Sequence, residues 1–93
     1  MARAKKDKTE DDLIRENARD VALATKGVHS LSGKGVKIDH LQDGIEINVS
    51  INVVFGCRIP EVAWDTQENI MRTAEKITSQ KIKKVNINIQ GVE

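Results

Sequence analysis

Between Ile45 and Phe55 the chain alternates without a break: Ile45, Ile47, Val49, Ile51, Val53 and Phe55 fall on one side, Glu46, Asn48, Ser50 and Asn52 on the other. Successive side chains of a β-strand point to opposite faces, so this pattern predicts a long strand with one buried face and one wet face, closed by Gly56. Such a strand needs neighbours to pair with and a layer to cover its apolar side.

The segments around it supply both. Thr9 stands three residues before Asp12, and Glu10, Asp11 and Asp12 suit the positive end of a helix dipole. Ile14, Ala18, Val21 and Thr25 then share one helical face with Ala22 beside it, and Gly27 is placed to end that helix. After Gly27 the period becomes two. Val28 to Leu31 reads as a short strand, Ser32-Gly33-Lys34-Gly35 as a turn, and Val36 to Leu41 as a second strand; Asp43-Gly44 then signals a hairpin. A second helix opens at Ile59-Pro60-Glu61, where proline is tolerated in the first turn, and runs to about Thr78. Its expected buried stripe is Ile59, Ala63, Thr66, Ile70, Ala74 and Ile77, with Val62 on the flank. Val85, Ile87 and Ile89 alternate with Lys84, Asn86, Asn88 and Gln90 in a last strand that Gly91 ends.

The expected order is therefore α-β-β-β-α-β. Both helices and the sheet have one apolar face each, which predicts an α+β fold of two layers, two helices on one face of a small mixed sheet. The last strand should run parallel to the long one, because the second helix carries the chain back. Ninety-three residues make one domain, and with one Trp, one Phe and no Tyr its core must be aliphatic. Residues 1–9 hold Arg3, Lys5, Lys6 and Lys8 and no apolar anchor beyond Met1, so they are expected to form a disordered basic tail ahead of a folded unit over residues 10–93.

A formal net charge of +1 excludes a strongly basic nucleic-acid glove and a strongly acidic tail protein. Cys57 alone forms no intrachain disulfide, and one Cys with two His makes no zinc set. No apolar run, Val53 to Phe55 included, is nearly long enough to cross a membrane, and the N-terminus carries no secretory signal pattern. The expected location is cytoplasmic.

Gly27-Val28 with Leu31-Ser32-Gly33, then Ile59-Pro60-Glu61-Val62-Ala63, Gln67-Glu68-Asn69-Ile70 and Val85 to Val92 together resemble the alkaline shock protein family, the small envelope stress response proteins of mainly Gram-positive bacteria. The resemblance covers roughly residues 13–92 and rests on several blocks in order, none chemically specific. It implies a non-enzymatic scaffolding role in envelope stress or homeostasis, self-association, and recruitment to the inner face of the membrane by a small integral partner. It transfers no catalytic residue. Family members usually begin with a strand of Gly-x-Ile-x-Ile-Ser type, and its replacement here by a charged tail leaves an expected free sheet edge.

No catalytic, cofactor or metal site and no small-molecule substrate is nominated by the residues. Cys57 has no base near it in sequence, since His40 falls at the far end of the hairpin. His29 and His40 lack a third metal ligand. Ser32 to Gly35 lacks the spacing and following helix of a phosphate loop. Glu61, Asp65 and Glu68 read as a solvated helix face. Two surfaces remain. Arg3, Lys5, Lys6 and Lys8, with Lys81, Lys83 and Lys84, are candidate contacts to an anionic surface; lipid and single-stranded RNA or DNA both qualify, although the polar sheet face offers no stacking aromatic. Trp64 and Met71 lie at about 140° and about 120° from Ile59, two turns apart on the shoulder of the second helix. They either finish the core edge or form the centre of a protein contact, most simply with a second copy, rimmed by Glu61, Glu68 and Glu75.

Overall fold

The alternating segment is the middle strand of the sheet. In the computed structural model, which describes residues 9–93, the elements are α1 (Glu10–Ala24), β1 (Val28–Leu41), β2 (Gly44–Val53), α2 (Ile59–Ile77) and β3 (Ile82–Val92). Arg3, Lys5, Lys6 and Lys8, and the expected tail as far as residue 8, lie outside the described residues. The strands form one sheet in the order β1-β2-β3, with β1 antiparallel and β3 parallel to β2. Both helices cover the same face, α1 above β1 and α2 above β3. The result is the two-layer α+β fold the sequence pattern implies.

Ile45, Ile47, Val49, Ile51 and Val53 are all fully buried. Each such side chain contributes about 1.5–3 kcal/mol relative to exposure, which makes β2 the heart of the core. The register puts Val36 and Ile87 on either side of Val49, and Ile38 and Val85 on either side of Ile47. Ile14, Ala18 and Ala22 of α1 and Val62, Ile70 and Ala74 of α2 close the core from above.

Several local expectations change. β1 is one strand rather than two joined by a turn: between Leu31, opposite Ile51, and Val36, opposite Val49, it bulges and then continues on the same partner. Gly33 (φ +58°) and Gly35 (φ +78°) adopt the left-handed backbone that this bulge requires. The order is therefore α-β-β-α-β. Phe55 is not on the buried face; β2 ends at Val53, and Phe55 stands in the following turn with 81% of its surface exposed. Ile59 and Ile77, the expected ends of the α2 stripe, are exposed at the helix termini.

Thr9, assigned to the tail by composition, belongs to the fold. Its hydroxyl accepts from the Asp12 backbone N–H at 3.1 Å, and its own N–H donates to the Asp12 carboxylate at 3.2 Å, a complete capping box. α1 ends at Ala24 with Thr25 as its cap, so Gly27 lies one residue too far along to be the helix stop. Gly27 instead admits α2: a Cβ there would sit 2.4 Å from Val62 Cγ2.

Candidate interaction surface

α2 is fixed on its inner side by Val62, Thr66, Ile70 and Ala74, one helical turn apart and all buried. The Thr66 hydroxyl satisfies itself by donating to the Val62 carbonyl at 2.7 Å, so it is compatible with the core. On the flank toward α1, Asn69 Nδ2 donates to Thr25 Oγ1 at 3.2 Å. Trp64 and Met71 lie about 140–160° around the helix from Asn69, on the flank turned away from α1. Met71 is half-buried and packs against the core margin, as do Ile87 and Ile89 of β3. Trp64 does not fold inward; 59% of it is exposed. The two residues thus make one apolar shoulder, the Met end rooted and the Trp end open. Glu61 and Glu75 are exposed beside it and Glu68 is half-buried.

The basic residues near β3 have acidic neighbours on the hairpin and on β2. Lys83 Nζ donates to the Asp43 carboxylate at 3.0 Å and holds the hairpin against the start of β3; that lysine keeps the Asp43 pKa below its ordinary value. Lys84 lies opposite Glu46 in the register, and Lys81 is exposed. The wet sheet face is also internally engaged. Asn86 Nδ2 donates to Asn48 Oδ1 at 2.8 Å, and Asn48 Nδ2 donates to the Asp39 carboxylate at 2.8 Å, a polar ladder across all three strands. Asn52 Nδ2 donates to Ser30 Oγ at 3.1 Å.

Two features escaped the sequence reading. Phe55, Val54 and the exposed Ile59 and Val92 gather at the end of the molecule where β2 and β3 finish; Phe55 N–H donates to the Glu93 carbonyl at 2.7 Å. A shallow groove of about 470 Å³ runs beside Phe55 between Lys26 and Asp65. The short interval between Val53 and the Ile59-Pro60 helix start was the available signal, because a chain leaving a strand to enter a helix must turn there. Glu10 is the second feature. It accepts from Thr78 Oγ1 at 2.5 Å, Gln80 Nε2 at 3.0 Å and the Ser79 N–H at 3.2 Å, tying the start of α1 to the α2–β3 connection. Chiefly the Thr78 bond holds its pKa below the usual value.

His40 bonds Asp11 at 2.6 Å near the start of α1, at the opposite end of the sheet from Cys57, so no cysteine–histidine couple forms. His29 meets Ser30 and Glu93. Among the described residues, no group of three or more His, Cys, Asp or Glu side chains is arranged to hold a metal. No helix of the described residues is long and apolar enough to cross a membrane.

Residues 12–93 match the profile of the alkaline shock protein 23 family, cell envelope-related function. The chain belongs to this family. YqhY of Bacillus subtilis is 49% identical to it over 61 residues, which is 66% of this chain and 45% of that protein. The match thus spans less than half of that relative's length. Among solved structures, a MamM variant superposes with a TM-score of 0.72 at 11% identity, covering 92% of this chain and 89% of that one. The copper form of the MamM CTD gives 0.69 at 12% identity, covering 88% and 86%. At that identity the likeness is one of fold alone.

Proposed function

We propose that this protein is a non-enzymatic scaffold of the envelope stress response that works by self-association and through a membrane-associated partner. The observation that carries the reading is the α2 shoulder, where Trp64 is exposed beside a Met71 rooted in the core margin. Tryptophan is enriched at the centres of protein contacts, and methionine repacks readily around a partner. A domain this small, with an aliphatic core, also gains by sharing buried area with a copy of itself. Single-stranded nucleic acid is the weaker alternative. The wet sheet face presents no aromatic ring, and the amides of Asn48, Asn52 and Asn86 are already committed across strands.

Trp64→Glu and Met71→Glu, made separately and followed by sedimentation and thermal melting, test the reading. Trp64→Glu should abolish the oligomer and leave the monomer's melting within about 0.5 kcal/mol of wild type, as for an exposed position. Met71→Glu should weaken both, because its side chain also touches the core. An unchanged mass for Trp64→Glu would remove the shoulder from the contact.

A further inference from the structure

Among the described residues β3 is bonded to β2 on one side only, so its other edge carries backbone groups that no described strand pairs. It directly adjoins the α2 flank that holds Met71 and Trp64. We propose that a second copy of this chain adds antiparallel to that edge, with Ile87 opposite Ile87 about a two-fold axis, continuing the sheet to six strands and closing over the α2 shoulder. This rests on the self-association reading and names the surface and register that carry it.

The register follows from the side chains. Directly opposed residues in an antiparallel pair share a face, so keeping the helices of both copies on one side allows only shifts of two residues. β3 is regular from Lys84 to Ile89 and irregular at Lys83 and Gln90. With Ile87 on the axis, Val85 meets Ile89 on the helix-covered face, Asn86 meets Asn88 on the wet face, and Lys84 meets the uncharged Gln90. The three inward apolar residues of the regular run, Val85, Ile87 and Ile89, are then matched with apolar residues, and no like charges are opposed. A shift of two one way sets Ile89 against Lys83; the other way sets Val85 against Gly91. The other free edge, on β1, is regular over Val36–Leu41 beyond the bulge at Gly33 and Gly35, but there Ile38 on the axis would set Val36 against the polar His40, and Asp39 on the axis would oppose two like charges.

The test uses Asn86→Cys and Asn88→Cys, each in the full chain with Cys57→Ser. Both positions lie on the wet face, outside the core. Across the proposed seam, 86 and 88 are directly opposed and within disulfide reach, whereas two copies of either position lie diagonally, about 7–8 Å apart and out of reach. Under mild oxidation the mixed variants should form a disulfide dimer about tenfold faster than either variant alone. Equal rates, or no cross-link while the unmodified chain sediments as a dimer, would overturn this register and leave self-association standing. An unmodified chain that sediments as a monomer at all concentrations would remove both.

Discussion

The sheet has two edges built in opposite ways. β1 is long but interrupted: the four residues between Leu31 and Val36 pass one residue of β2, Ser50, and glycines with positive φ carry the excess before a regular run over Val36–Leu41. β3 is regular over Lys84–Ile89, with irregularities only at its ends, and lies beneath an apolar helix shoulder. A bulge twists an edge away from foreign strands, which is a known protection, whereas a flat run with apolar residues on its covered face invites pairing. The proposed contact uses the edge without an interruption in its middle.

The largest change that should break this contrast is at the start of β3. A Cβ on Gly44 would lie 2.5 Å from the Lys81 carbonyl, which accepts the Ile45 N–H at 2.8 Å. Gly44→Ala should therefore push the hairpin off β3 and cost toward the upper end of about 1–3 kcal/mol in denaturant melts, with a parallel loss of dimer mass. Next comes the bulge. Gly35→Ala should cost about 1–2 kcal/mol from its left-handed backbone, with an addition from Leu31 Cδ1 at 3.2 Å from the new Cβ. Gly33→Ala, which meets nothing within 4 Å, should cost less. Neither should alter dimer mass at concentrations where the monomer is folded; a loss would place β1 in the contact.

The smallest expected effect sharpens the contrast through pH. Glu10 holds the entry to β3 and has a folded pKa below its ordinary 4.5, so its stabilisation is present above the unfolded pKa and is lost as pH falls through the folded one. Glu10→Gln should lower the melting temperature at neutral pH, and the gap should close in melts at about pH 3. A gap that persists in acid would mean the glutamine itself strains the site.

The legible parts of this molecule were those whose partners do not need to be known. Period two in β2 and β3 and the helical stripe through Thr66, Ile70 and Ala74 predict burial because one side of each element meets one layer; Val62, expected on the flank, is buried in place of the half-buried Ala63. The β1 bulge was not legible, because Ser-Gly-Lys-Gly suits a chain reversal and a bulge equally; only the pairing of Leu31 and Val36 with the same strand distinguishes them. Phe55 failed differently. Alternation in sequence outlasted the hydrogen-bonded strand, which stops where the chain turns toward α2. At the candidate site, the helical angle located the Trp64–Met71 line, but the depth of each side chain depends on how far β3 extends beneath it.

The position of Glu10 also governs how the molecule carries load. Through Thr78 and Gln80, the first turn of α1 is moored beside the start of β3, while Glu93 at the other end of β3 is bonded by its backbone to Val53 and Phe55. A pull between residue 9 and residue 93 therefore runs along β3, and the strand must slide past its parallel neighbour β2 before it can leave. Bonds sheared in that direction resist together rather than opening one after another. A pull between those two points falls directly on the strand that bears the proposed contact.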